Sequence, residues 1–153
     1  MRIVIRLAAL AIVGFSVMIA AQAQTGASIA ERQLFDGVNR ARRAQGLPDL
    51  KWNDALAAAA RRHAGLMAQH GSAEHGYAGE PSLASRVTQA GGHFVWLAEN
   101  VIQGISTDGM QAAFLKSANH RANMLDSDMD SLGVGVVERG GQLFAVEDFS
   151  KAK

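Results

Sequence analysis

The chain has 153 residues, 48% of them hydrophobic, a formal net charge of +1 and no cysteine. That length allows one domain, and so small a net charge gives no ground for a nucleic-acid partner. Without cysteine there is no disulfide, no thiol nucleophile and no Cys-type zinc site.

Arg2 and Arg6 precede an apolar run from Leu7 to Ala21, and Ala21-Gln22-Ala23 has the small-x-small form of a signal-peptidase site. These features predict a secretory signal peptide over 1–23. The competing reading, a membrane anchor, needs ~20 apolar residues to span a bilayer, and this run falls short of that. Cleavage takes the charge from +1 to −1 as Arg2 and Arg6 leave, and it leaves no stable membrane anchor. Residues 24–29 read as a linker and 30–150 as the domain, which is expected to be secreted or periplasmic.

Within the domain, Ala30, Leu34, Val38 and Ala41 recur with helical spacing. Arg40, Arg42 and Arg43 read as its solvated face, and Gly46 and Pro48 stop it. Asn53 suits an N-cap for a second helix carrying Leu56, Ala60, His63 and Met67 on one stripe, closed by Gly71. GSAEHGYAGEP, 71–81, has loop composition. Leu83, Val87 and Ala90 suggest a short third helix, and Ala98–Ile102 a strand. Thr107 is a cap for a fourth helix with Met110 and Phe114 on one face, and Asn119 begins a last short helix through Leu125. The C-terminus changes to two β-type runs, 131–138 and 142–150, around the hairpin signal Gly140-Gly141. Helices preceding strands, without regular alternation, predict an α+β fold with an antiparallel sheet.

Several polar residues sit in apolar company. In the last strand Leu143, Ala145, Glu147 and Phe149 alternate with Phe144, Val146 and Asp148. Both faces are mostly apolar, so both are expected to be covered, and at least one of the two acids needs a partner. Glu99 poses the same problem between Ala98 and Asn100. His63 reads as a satisfied core residue, His70 as a residue favoured at a helix C-terminus, and His93 carries no pattern. His75 and His120 remain, far apart in sequence and without an HExxH spacing. No serine lies in G-x-S-x-G, and there is no phosphate-binding glycine loop. Arg42-Arg43 and Arg61-Arg62 read as solvated helix faces, not a nucleic-acid patch.

These stretches, taken in order, resemble a known domain. Asn39-Arg40, Gly46-Leu47-Pro48 and Leu50-Lys51-Trp52 are similar to the opening of the CAP (SCP) superfamily domain of cysteine-rich secretory proteins, antigen 5 and pathogenesis-related 1. His75 with Arg86 and Ala90-Gly91 continue the resemblance, and Ala98-Glu99-Asn100-Val101 with Gly104 resemble its GEN/AEN element. Ser117, His120-Arg121, Asn123 and Met124-Leu125 resemble the S-x-x-H-R-x-N-x-L signature of its bacterial members, and Leu132-Gly133-Val134-Gly135 and Asp148-Phe149 complete the match. The resemblance implies a three-layer α-β-α sandwich around a central antiparallel sheet, with a cleft lined by two histidines and two acids. By matching position these are His75, His120 and Glu99. The stretch where the family carries its second acid reads Phe114-Leu115-Lys116-Ser117, with no acid, and Glu147 is the candidate substitute. Asn100, Ser117, Arg121 and Asn123 are the supporting residues. The absence of cysteine sets this chain apart from disulfide-bonded eukaryotic members.

Two functions follow from the resemblance. The first is a secreted binding module for a lipid or sterol-like small molecule, with Trp96, Phe94 and Met124 as an apolar rim and His75 and His120 as ligands for a divalent metal such as zinc. The second is a metal-assisted, peptidase-like hydrolase in which Glu99 or Glu147 acts as general base.

Overall fold

The structure, a computed structural model, describes residues 26–152. The expected signal peptide lies outside the described residues. Helix α1, Ile29–Ala44, begins at a reciprocal capping box: the Ser28 hydroxyl accepts from the Glu31 amide and the Glu31 carboxylate accepts from the Ser28 amide. Strand β1 is the two-residue Lys51–Trp52. Helix α2, Asp54–His70, is capped by the Asn53 side chain, which accepts from the amides of Ala55 and Leu56, and it ends at Gly71, whose φ of 70° is the left-handed conformation that glycine tolerates best. Helix α3 is Leu83–Gln89 and strand β2 is Trp96–Gly104. Helix α4, Thr107–Lys116, is capped by Ser106, one residue before the expected cap, and Ser117 joins it to helix α5, Ala118–Met124. Strands β3, Ser131–Arg139, and β4, Gln142–Lys151, form the hairpin; Gly140 and Gly141 have φ of 62° and 79°, the two positive angles a tight turn of this kind requires.

The sheet order is β1-β3-β4-β2. Three strands are antiparallel, as expected, but β1 joins β3 in parallel through Lys51 and Trp52, so the sheet is mixed. A strand of two residues carries too little periodicity to be seen in sequence. Both faces are covered. On one side Leu34, Val38, Met110, Phe114 and Met124 pack on Leu132, Val134, Ala145 and Phe149, which gives an α1/α4/α5 layer. On the other, Ala60, Ala64 and Met67 of α2 pack on Val101, Phe144 and Val146. Alanines let α2 come close, and Gly133 is what the closest point demands. A Cβ there would lie 2.1 Å from the Ala57 nitrogen.

Two expected solvated faces are corrected. Arg42 is fully buried, and its guanidinium donates to the carbonyls of Pro48, Met124, Asp126 and Met129. It ties the end of α1 to the segment between α5 and β3. Arg61 makes a two-pronged pair with the buried Glu31, 2.7 Å for each contact. In both cases the long apolar stem crosses the helix surface and the planar head satisfies several acceptors at once, which helical spacing alone does not reveal.

Candidate functional site

The site is organised by two consecutive residues of β2, an edge strand. Antiparallel register sets Glu99 opposite Asp148 and Asn100 opposite Glu147. Because side chains alternate, Glu99 and Asp148 face α2 and α3, whereas Asn100 and Glu147 face α1, α4 and α5.

On the first face Glu99 is nearly enclosed, its side chain 5% exposed. One carboxylate oxygen accepts from His75 Nδ1 at 3.0 Å, and the other meets the Arg86 guanidinium. Arg86 also donates to Glu80 at 3.1 Å, and Glu80 contacts His63 Nδ1 at 2.7 Å. The remaining His63 nitrogen contacts the Glu74 carbonyl at 2.8 Å. His75 thus ends a buried chain of paired charges, with its own side chain 64% exposed. With Nδ1–H donating to Glu99, Nε2 is the ring nitrogen left for another partner. Asp148 is fully buried beside Glu99, and no N–H donor reaches either of its oxygens. Burial holds its carboxyl well above the usual aspartate range, the charge of Glu99 adds to that, and Arg86 opposes it.

On the second face the Asn100 amide donates to Glu147 at 3.0 Å and to the His120 carbonyl at 3.2 Å, and its oxygen accepts from Asn123 at 2.9 Å. Asn123 also donates to the Glu99 carbonyl at 3.4 Å. These bonds seat α5 on β2. Glu147 is completely buried, one oxygen has no partner, and desolvation pushes its pKa up to about 8 although the Asn100 hydrogen bond opposes this. His120 stands edge-on to Phe114, ring centroids 5.1 Å apart. Burial, and secondly the charge of His75, lower its pKa, so the ring is neutral at pH 7. Arg121 donates to the Leu115 carbonyl at the end of α4, while Ser117 is the residue between the two helices and makes no side-chain cap bond.

The structure therefore brings His75 and Glu99 into direct contact and ties the helix bearing His120 to the same two residues of β2. It does not bring Glu147 to Glu99. Glu147 lies across the sheet, because the one-residue offset between Glu147 and Asp148 reverses the face, and the acid beside Glu99 is Asp148. Met124 is also corrected: it is fully buried and belongs to the core, not to an apolar rim. Trp96 and Val95 are 60% and 61% exposed and line a hollow of about 370 Å³ with Asp126, Asp128 and Lys151. Sequence reasoning did not assign Glu80, Arg86 and Asp148 to the site. Arg86 and Asp148 appeared in matching motifs, but only the strand register reveals that they converge.

A three-layer α-β-α domain with a paired histidine, acid and arginine cluster at one sheet edge defines the class as a CAP-type sandwich. The profile of the cysteine-rich secretory protein (CAP) family matches residues 35–149, and the chain belongs to that family. Among solved structures it is similar to an extracellular SCP-domain protein from Bacillus anthracis, at 28% identity and a TM-score of 0.71. That match covers 80% of this chain and 40% of the other, so the chain spans well under half of that protein's length. An outer surface protein from Borrelia burgdorferi is similar at 21% identity and a TM-score of 0.74, covering 81% of this chain and 93% of that one. NaASP2, crystallised with Zn2+, shares the fold at 12% identity and a TM-score of 0.59, covering 86% and 84%. No curated protein matches the chain. Among the described residues no helix is long and apolar enough to cross a membrane.

Protein zinc centres use three or four protein ligands. Here His75 Nε2 and the neutral His120 ring offer two, both Glu99 oxygens are engaged, and Glu147 is across the sheet. Among the described residues no group of three or more His, Cys, Asp or Glu has a metal-holding arrangement. The set does not complete a resident zinc centre.

Proposed function

We propose that the chain is an exported binding module, secreted or periplasmic, whose cleft at His75 and His120 takes the polar end of a small lipid or sterol-like molecule. A divalent ion such as zinc is an exchangeable occupant of the same two imidazoles. The observation that carries this reading is the state of Glu99. Its two oxygens are committed to His75 and Arg86, so it orients an imidazole and is not free to activate water. Glu147, the other acid considered as a base, is buried on the opposite face and carries its proton at pH 7. The hydrolase reading is left without either of its expected bases. For the apolar end, the hollow beside Trp96 opens on the Asn100 and α5 side of β2, four residues from Asn100 and about 13 Å at the rise of a strand. Its size lies within the ~300–1,000 Å³ of small-molecule pockets. The extracellular and outer-surface relatives support export.

Native mass spectrometry and elemental analysis of the exported protein test this. A co-purifying lipid-like mass, and zinc taken up by wild type but not by a His75→Ala/His120→Ala variant, are expected. Zinc uptake should weaken below about pH 6, where imidazoles protonate. Absence of both ligands, together with ester or peptide turnover that His120→Ala abolishes, would replace binding by hydrolysis.

A further inference from the structure

The buried chain on the α2/α3 face can be counted for charge. His63 and Glu80 share a short contact, and the other His63 nitrogen must donate because the Glu74 carbonyl only accepts. If the proton between them sits on His63, the pair is a cation and an anion; if it sits on Glu80, both are neutral. Either way the pair sums to zero. Arg86 and Glu99 also sum to zero. All four side chains are at most 5% exposed. Asp148 adds a third carboxyl to this enclosure, and no cation remains for it.

The groups around Asp148 leave one arrangement open. Glu99 faces it from β2 and Arg86 from α3. Its neighbour on β3 is Gly133, which has no side chain and lies against the α2 backbone at Leu56 and Ala57. On α2, His63 is already matched by Glu80, Arg61 pairs with Glu31, and Arg62 donates to the Arg86 carbonyl. An ionised Asp148 would be an uncompensated buried charge beside another carboxylate, costing several kcal/mol. A neutral Asp148 has an O–H, and Glu99 is the acceptor beside it.

We propose that Asp148, as a protonated acid donating to Glu99, is the second acid of the His75 site, supplied by β4 in place of the acid missing near Lys116. It is a positioning residue. With Arg86 it holds Glu99 at a single negative charge in one orientation, and Glu99 in turn fixes the His75 tautomer that leaves Nε2 open. That the positioned imidazole serves a ligand rests on the binding function proposed above; the protonation and contact of Asp148 do not.

Carbon-13 NMR of the aspartate carboxyl groups tests this directly on the exported protein. The Asp148 signal should remain at its protonated position through the range in which an ordinary aspartate carboxyl titrates. Stability supplies a readout with opposite signs for the two possibilities. Asp148→Asn keeps a neutral donor, so its melting temperature should equal or exceed that of wild type at pH 8, the gap narrowing towards pH 4. Asp148→Ala, lacking the donor, should melt lower than Asp148→Asn at both pH values. If Asp148 titrates in the ordinary aspartate range, or if Asp148→Asn is the less stable protein at pH 8 and recovers in acid, the native residue is ionised and the proposal is wrong. Zinc titration of the same proteins separates the two readings. Wild type that takes up no zinc removes the ion from the proposed function, while the carboxyl signal still decides Asp148.

Discussion

Glu99 and Asn100 are neighbours on β2, and Asp148 and Glu147 are their neighbours on β4, yet the two faces of this four-residue block solve burial differently. The α2/α3 face keeps an ionised carboxylate because α3 delivers Arg86 to it. On the α5 face the groups bonded to Glu147 and Asn100 are amides and backbone, with no cation among them. That layer uses an amide at position 100 and leaves Glu147 neutral. A sheet can thus carry polar residues inward on both sides, but whether they stay charged is decided by the helix layer and not by the strand.

Removing the cation is the harshest way to break that contrast. Arg86→Met preserves much of the stem and leaves Glu80 and Glu99 enclosed without their partner. A loss of about 3–5 kcal/mol in urea unfolding is expected, the usual consequence of stripping one member from a buried pair. Asn100→Ala on the opposite face should cost less, about 1–3 kcal/mol, since it leaves neutral groups unsatisfied. Equal losses would mean that charge compensation is not what separates the faces.

A milder change sharpens the comparison through pH. The folded pKa of Glu147 is about 8 against an ordinary 4.5. The folded protein therefore holds a proton that the unfolded chain has released, and stability from this group falls as pH rises between those values. Each unit of difference corresponds to about 1.4 kcal/mol. Glu147→Gln should lie close to wild type at pH 4.5 and gain on it progressively up to about pH 8, with no further gain above. Chemical unfolding of both proteins across that range checks it, and a constant difference would show that Glu147 is ionised in the fold.

How much of this was visible beforehand depends on the range of the interactions. The helix cap at Asn53, the hairpin at Gly140-Gly141 and the polar anomaly at Glu99 are local, and local pattern showed them. Alternation along β4 correctly separated Glu147 from Asp148 but could not say which one would meet Glu99, because that is a matter of register between strands distant in sequence. The burial of Arg42 was hidden for a related reason. Its four acceptors come from Pro48 and from the segment around 124–129, and helical spacing contains no trace of them. The parallel β1 pairing was too short to leave a pattern.

The smallest expected effect belongs to His120, and it runs opposite in sign to that of Glu147 on the same side of the sheet. Truncating the ring in His120→Ala removes its edge-on contact with Phe114, worth about 0.5–1.5 kcal/mol at neutral pH. The folded pKa is below 6.5, so on acidification the unfolded chain takes up the proton first and the native contribution is lost as pH falls through that range. The penalty of His120→Ala should therefore shrink in acid, measured by thermal unfolding at pH 7.5 and pH 5. In wild type, acid favours the neutral Glu147 and disfavours the neutral His120. A penalty for His120→Ala that grew on acidification would instead require an imidazolium stabilised in the fold, and with it a carboxylate beside α5 that this arrangement of Asn100, Asn123 and protonated Glu147 does not provide.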